Sequence, residues 1–560
     1  MNTDSDFKYP AFTSSTHDAC ARDAVHRSPT PPCIVLILIS VLGVAFSAAG
    51  AFHSSVWFDE SYSVALAAHP LPELIRLGAA DVHPVLYYVL LHLLFLITGP
   101  SIVAMRLFSV AGAAANVLLG LSVIRKDYGN TAAGIFILLL TISPWAVAEA
   151  VDIRMYSWSS FFVGLSFVYC ARICRRLASS MQGAADSDCQ GALPPRSWWA
   201  VAFASALAAA YTHYFGAIAA FTQMILVLAL AILYARKRAD HPHARTPLKL
   251  FWRATALCVI GYLPWIVIAA LQAHTVSGGY WIKLKLPDLF LEILAFPLSS
   301  RDALSVLRGD MGPAAQMACA AGFLFVFAGT AALAIKAYAS RRHIEVELLA
   351  SPVFQGVFVL LGTAALSLIA GAILGQAILV TRYLTCALVP YSLALAVLFA
   401  RYKNKVVWTL CGVGLLLVSG SAQLSALTSA YSPANTQPLA YYDKATSDGQ
   451  GGRVPVVSGF DLFSDIQAAC PLSVHAPNVP IAYVDSWPAY RAFEPTITFG
   501  ERREDVLRDY HGRFVYLSLR YSDKELQSIA EKLDARIIES RTFHLPYKHQ
   551  TWAITTLDRP

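Results

Sequence analysis

Residues 84–99 read Pro-Val-Leu-Tyr-Tyr-Val-Leu-Leu-His-Leu-Leu-Phe-Leu-Ile-Thr-Gly, and whether this run crosses a membrane decides on which side everything after it lies. Its 16 residues make a helix of about 24 Å, against a hydrocarbon core of about 30 Å. Asp81 and His83 stop its extension on one side and Gly99-Pro100 on the other. The basic loops arbitrate. With a cytoplasmic amino terminus and 84–99 not crossing, Arg125-Lys126, Arg172/Arg175/Arg176, Arg236-Lys237-Arg238, Arg341-Arg342 and Arg401/Lys403/Lys405 all fall inside. If 84–99 crosses, all five fall outside, against the excess of Lys and Arg in cytoplasmic loops. The run is therefore read as a juxtamembrane helix lying along or dipping into the outer leaflet.

Outward from it, apolar spans are expected at 33–53, 102–123, 130–150, 155–173, 198–215, 216–235, 250–273, 314–337, 351–374, 378–400 and 405–427. Each is near the ~20 residues needed to cross. Composition agrees: of 560 residues 56% are hydrophobic and 14% charged, against about 25% charged in a soluble domain. The net charge of +7 sits in short loops between apolar runs, so it encodes topology and does not point to nucleic acid. Ten Cys are present, most inside apolar runs, and they draw neither a disulfide framework nor a paired-cysteine metal site. Residues 1–31 are polar and expected to be a disordered cytoplasmic segment. The apolar run from Cys33 has no evident cleavage site and reads as a retained anchor.

From 434 to 560 the charge density rises and short β runs appear at Val454–Val457, Ile481–Val484, Phe514–Leu517, Arg536–Ile538 and Trp552–Thr555. A helix is expected at 523–533, where Ser522 precedes Glu525 by three residues as in a capping box. Alternating strand and helix predict a small α/β domain. The fold class is thus a polytopic α-helical membrane protein of about eleven crossings over 32–430, with an α/β domain over 434–560 on the far side of an odd number of crossings.

The same parity gathers a short list of polar residues on the outer side: Asp59, Glu60, Asp81, His83, Asp152, Arg154, Tyr156, His213, the loop around Trp281, and Arg382-Tyr383. Asp59-Glu60 lies in Trp57-Phe58-Asp59-Glu60-Ser61-Tyr62, just past the first span. A carboxylate beside a bilayer pairs, lines a wet cavity or works; alone, this pair would read as interfacial acids beside an aromatic belt. In Asp81-Val82-His83-Pro84, the acid and imidazole orient a substrate phosphate or share a divalent metal, unless Asp81 merely caps a helix that Pro84 opens. In Asp152-Ile153-Arg154-Met155-Tyr156, Arg154 offers a forked phosphate clamp; the plainer reading is an ion pair with Asp152 or Glu149. His213, in Thr212-His213-Tyr214, is at the tip of a helical hairpin. Arg382 is either a snorkelling side chain or a second phosphate contact. The loop 274–313, with Trp281, Lys283 and Lys285, is placed to fold over the site as a lid.

Taken in order, WFDESYS, D-x-H-P-x-L-Y-Y, I-R-M-Y-S, THYF and T-R-Y-L ahead of Pro390 resemble the bacterial family-39 type of GT-C glycosyltransferases, similar to protein O-mannosyltransferases and to the lipid A aminoarabinose transferase. The likeness runs from about 33 to about 400 and does not reach the tail. It implies inverting transfer from a polyprenyl-phosphate sugar to a glycan, lipid or protein acceptor at the outer face of the membrane. Asp59 would be the base with Glu60 beside it. Asp81, His83, Asp152, Arg154, Tyr156, His213, Trp281, Arg382 and Tyr383 would bind substrate or phosphate. No cofactor is implied, and a divalent metal on Asp81 and His83 stays open. The family's style places the chain in the bacterial cytoplasmic membrane. Ile153 and Pro84-Val85 depart from its usual small residue and Pro-Pro, without removing a chemical group.

The chemistry stands beside the likeness. A phosphate-linked sugar carries its own leaving group, so one base for the acceptor hydroxyl and cations for the departing phosphate suffice. Three other classes compete. A transporter or flippase predicts ionisable groups near mid-span and broken helices. A surface-polysaccharide polymerase or ligase would use the same donor type and topology. A sensor would put all its activity in the tail.

Overall fold

A computed structural model of the protein describes residues 33–182, 193–277, 282–283, 285–339, 346–459, 466–483, 488–499, 507, 510–519 and 522–560. Trp281 and Arg341-Arg342 lie outside the described residues, as does Val484 at the end of the second expected strand.

Nine helices among the described residues are long and apolar enough to cross a membrane. One of them, Ile102–Ile142, is 41 residues long and turns at Gly129, whose φ of 83° and ψ of 171° are non-helical and suit a residue without Cβ. Dividing that rod in two, and adding Arg196–Thr212 with its 17 residues, gives the eleven segments that the hydrophobic pattern predicts. Thr381–Arg401 and Tyr156–Gln182 are the most buried of these helices, at 72% and 67%, and form the hub, whereas Thr246–Ser277 has 6% buried and lies at the periphery. Small residues let the hub's neighbours close in. Gly164 faces Val389, and a Cβ on Gly356 would run into the Pro390 carbonyl.

Leu86–Thr98 is a 13-residue helix ended by Gly99 at φ 64°. Tyr87, Tyr88 and Leu91 are buried on one side while Leu93, Leu96 and Ile97 are exposed on the other. The chain leaves the first long helix and enters the second at the same end of the bundle, because Arg106 Nη1 and Nη2 donate to the carbonyls of His53 at 2.6 Å and Ser55 at 2.5 Å. Further contacts gather other helix ends there: Trp57 to Asp152, His83 to Arg154 and to the His213 ring, Gln272 to the carbonyls of Gly78 and Ala79, and Arg382 to Asp59. At the opposite end Arg125 meets Cys33, Asp127 takes both Arg172 and Arg175, and Arg238 donates to the Ser180 carbonyl. The bundle thus has an acidic pole and a basic pole, and the segment 53–101 begins and ends at the acidic one.

The carboxy-terminal domain sits on that pole. Its strands are β1 (Val456–Ser458), β2 (Ile481–Tyr483), β3 (Ile497–Phe499), β4 (Gly512–Ser518), β5 (Arg536–Leu545) and β6 (Gln550–Arg559), in the order β3-β2-β1-β4-β6-β5. The first four run parallel, and β6 is antiparallel to both β4 and β5. The five expected strands are present, the last two reaching ten residues each, and the three-residue β3 is additional. Ser522 and Glu525 form the reciprocal capping box ahead of Asp523–Lys532. The domain packs on the helix Phe58–Ala68 through Tyr490 against Phe58 and Phe493 against Tyr62, and Ala492 gives its carbonyl to His69 at 2.8 Å.

The two-pole arrangement predicts a labelling pattern. In a cysteine-free background, a membrane-impermeant maleimide applied to intact cells is expected to label Pro100→Cys and to leave Lys126→Cys unlabelled. Efficient labelling of Lys126→Cys would mean that Leu86–Thr98 crosses the membrane.

Candidate functional site

The loop after the first long helix ends in extended backbone at Trp57, with φ −108° and ψ 173°, and the helix Phe58–Ala68 starts immediately after it. Asp59 and Glu60 occupy its first turn, where the helix dipole favours negative charge. Adjacent helical residues project about 100° apart, and here that rotation gives the two acids different surroundings.

Glu60 turns inward. Both its side chain and that of Arg106 are 0% exposed. Arg106 Nε and Nη2 donate to the two carboxylate oxygens at 2.9 and 2.8 Å, a forked pair that Lys could not make. The Tyr547 hydroxyl and the Ile153 amide complete the shell at 3.0 and 3.3 Å. With both oxygens engaged, Glu60 ties these segments together, whereas the expectation set it beside Asp59 in a catalytic pair.

Asp59 turns to the mouth of the pole. Its carboxylate is 17% exposed and lies 3.3 Å from Arg382 Nη2, whose side chain is 23% exposed. Arg382 stands 5.6 Å from the centre of the Trp57 ring, within cation–π range. The Trp57 Nε1–H donates to Asp152 at 2.8 Å. Asp152, buried, is also 3.3 Å from Lys548 Nζ, which itself lies 5.0 Å from the Trp57 ring centre. Burial works to strip the Lys548 proton, but Asp152, Glu149, Asp302 and Glu60 together hold its pKa above lysine's ordinary value. The contact therefore contributes below lysine's ordinary range and fades only as pH rises through the raised value.

The Asp152–Arg154 ion pair considered from sequence is not made by the side chains. Arg154 is 4% exposed and donates to the Tyr88 hydroxyl at 3.1 Å and to His83 Nε2 at 3.3 Å. A guanidinium only donates, so His83 Nε2 accepts and its proton sits on Nδ1, facing Asp81 Oδ2 at 3.1 Å. The Asp81–His83 pair does not fit a divalent metal, because a fixed cation faces one ring nitrogen and the other nitrogen holds the carboxylate. Among the described residues no group of three or more His, Cys, Asp or Glu is placed to hold a metal. Arg154 thus turns its two Nη atoms to Tyr88 and His83, while its buried Nε has no hydrogen-bond partner among the described residues.

His213 breaks the chain between Arg196–Thr212 and Tyr214–Lys237, and its Nδ1 accepts from the Phe215 amide. Its ring stands 5.8 Å from those of His83 and Tyr156 and 5.2 Å from Tyr383. Tyr156 and Tyr383 stack at 6.3 Å. These rings form an aromatic wall beside Asp59 and Arg382. A cavity of about 20 Å³ lies behind it, lined by Asn116, Trp145, Glu149, Tyr156 and Ser160 among others, too small for a sugar. The described part of the expected lid, 274–313, carries the short helices Leu286–Leu294 and Arg301–Arg308, and Arg301 of the second donates to the Lys548 carbonyl at 3.1 Å. Glu292 on the first accepts from the Thr381 hydroxyl.

Three contributors were not among the residues singled out from sequence. Arg106 carried a readable signal: a lone cation near the start of an apolar run must find a buried partner. Tyr547 and Lys548 carried none, since a turn in a separate domain gives no local pattern that points into a membrane bundle.

No protein-family model matches the chain, and no curated protein matches it. Among solved structures it is similar to ArnT from Cupriavidus metallidurans in the apo state, with 12% identity over 94% of this chain and 97% of that one and a TM-score of 0.45. The same enzyme bound to undecaprenyl phosphate gives 12% identity, 93% and 97% coverage and a TM-score of 0.39. The Archaeoglobus fulgidus oligosaccharyltransferase in complex with Zn and sulfate gives 11% identity, 85% and 67% coverage and a TM-score of 0.37.

Removing one partner of a buried pair leaves the other charge uncompensated, at about 3–5 kcal/mol. Arg106→Leu is therefore expected to lower the unfolding temperature in detergent sharply. Glu60→Gln combined with Arg106→Gln should cost less than the sum of the two single changes. Additive losses would remove the pair as a unit.

Proposed function

We propose that the protein is an inverting glycosyltransferase of the GT-C type. It moves a hexosyl or pentosyl unit from a polyprenyl-phosphate donor to a glycan, lipid or protein acceptor at the outer face of the bacterial cytoplasmic membrane. The observation that carries this reading is the Asp59–Arg382 pair at the mouth of the acidic pole: a part-exposed carboxylate 3.3 Å from a part-exposed guanidinium. It offers a base and an anion holder side by side.

The acceptor hydroxyl gives its proton to the Asp59 carboxylate as its oxygen attacks the anomeric carbon. The bond from that carbon to the phosphate oxygen breaks, and the phosphate leaves with the electron pair. A single displacement inverts the anomeric centre. Once Asp59 is protonated it no longer balances Arg382, whose charge then serves the departing phosphate. Trp57 keeps Arg382 and Asp152 in register, and the aromatic wall of Tyr156, His213 and Tyr383 offers apolar faces to a sugar ring. The donor's isoprenoid chain would lie along the exposed apolar faces of the peripheral helices.

The gathering of ionisable groups at one pole weighs against a transporter, which needs them near mid-span. The entry of tail residues into the same pole weighs against a sensor working through the tail alone. A polymerase or ligase would share the donor chemistry and differ in the size of the transferred glycan.

In membranes supplied with a labelled polyprenyl-phosphate sugar, Asp59→Asn should lower turnover by about 10²–10⁴-fold, the usual contribution of a general base, while donor binding persists. Unchanged transfer would remove Asp59 from the mechanism.

A further inference from the structure

The turn between β5 and β6 reaches into the acidic pole from a different domain. Lys548 and His549 there have φ of 56° and 51°, left-handed conformations that residues with a Cβ adopt at a cost. The surroundings hold the turn in that shape. The Tyr547 amide donates to Asn435 Oδ1 at 3.1 Å, its hydroxyl reaches Glu60 at 3.0 Å, and Arg301 Nη1 donates to the Lys548 carbonyl at 3.1 Å. What the turn delivers is the Lys548 ammonium.

Three observations converge on it. Arg154, the first choice for a phosphate clamp, is buried with both Nη atoms turned to Tyr88 and His83, so Lys548 and Arg382 are the more open cations beside Asp59 and Asp152. Lys548 and Arg382 both lie within 6 Å of the Trp57 ring, at 5.0 and 5.6 Å, which puts two positive charges about one indole. Each also faces a carboxylate at 3.3 Å and keeps part of its side chain open, 22% for Lys548 and 23% for Arg382, unlike the sealed 2.8 Å pair of Arg106 and Glu60. Long, part-open contacts of this kind can exchange a carboxylate oxygen for a phosphate oxygen, which a bidentate buried pair cannot do without unfolding its shell.

We propose that Lys548, carried into the site by the carboxy-terminal domain, is the second cation that holds the phosphate of the polyprenyl-phosphate donor, together with Arg382 beside the same Trp57 ring. This rests on the glycosyltransferase reading. It makes the domain a part of the donor site, so that the membrane bundle alone binds the donor's phosphate incompletely. The ligand chemistry is a phosphodiester between sugar and a long isoprenoid in the donor, which becomes a phosphate monoester once the sugar has left, and the ammonium supplies charge and up to three donors to its oxygens.

The test uses the full-length protein in lipid nanodiscs with two probes, undecaprenyl monophosphate and the uncharged alcohol undecaprenol. Lys548→Gln should weaken monophosphate binding about tenfold, in the range of one lost charge-assisted hydrogen bond, and leave the alcohol unchanged. Lys548→Arg should restore most of the loss. The wild-type protein gives a second readout that needs no variant: monophosphate, and not the alcohol, should slow acylation of Lys548 by an amine-reactive reagent, followed by mass spectrometry. Unaltered monophosphate affinity in a folded Lys548→Gln protein, or no protection of Lys548 in the wild type, overturns the proposal and leaves the glycosyltransferase reading standing. Wild-type protein that binds monophosphate no better than the alcohol overturns that reading as well. Inorganic phosphate at matched concentration, if it protects Lys548 equally, overturns the assignment to a lipid-borne donor.

Discussion

Burying Glu60 and Arg106 together costs several kcal/mol for each ion before any return. The return comes only if every oxygen and every N–H finds a partner, and here the partners are drawn from all over the chain: the carbonyls of His53 and Ser55, the amide of Ile153 and the hydroxyl of Tyr547. One ion pair thereby fixes the end of the first long helix, the start of the second, the loop before Tyr156 and the turn between β5 and β6. The next consequence is local. With Glu60 held inward, the helix rotation aims Asp59 at the mouth of the pole, where Arg382 meets it. The position of the proposed base is set by its neighbour's burial.

A second layer is built on Trp57. Its indole N–H fixes Asp152, and its ring takes Arg382 and Lys548 within cation–π distance. The tryptophan that would otherwise read as an interfacial anchor is a spacer between two cation–carboxylate pairs. Charges are balanced pair by pair in the resting site, so a proton arriving on Asp59 shifts the balance at Arg382 without rearranging the backbone. Arg154, His83 and Asp81 form a separate chain in which each group orients the next.

Much of this was legible because the strongest signals were also the most physical. Apolar length placed the helices, and charge parity kept Leu86–Thr98 at one pole, as the Arg106 contacts to His53 and Ser55 show. The motifs that resemble a glycosyltransferase family supplied Asp59, Asp81, His83, Asp152, Arg154, His213 and Arg382, and folding brings these to one end of the bundle. What they do there was less legible. Adjacent acids look alike in sequence, and only the helix rotation and a buried arginine separate Glu60 from Asp59. Arg154 has the chemistry of a phosphate clamp, but its burial and its bonds to Tyr88 and His83 could not be read from the motif. The short strand β3 carries too few residues for an alternating pattern, and Lys548 reaches the site through a domain contact that no periodicity encodes.

The account stands on one spatial claim, that a lipid-borne phosphate is received at the acidic pole between Arg382 and Asp59. The most direct measurement is an experimental structure of the protein in lipid with undecaprenyl monophosphate bound. The account predicts phosphate density against the Arg382 guanidinium, with the isoprenoid running down between peripheral helices toward the basic pole. Phosphate density at the basic pole, or Asp59 and Arg382 at opposite faces of the membrane, would contradict it.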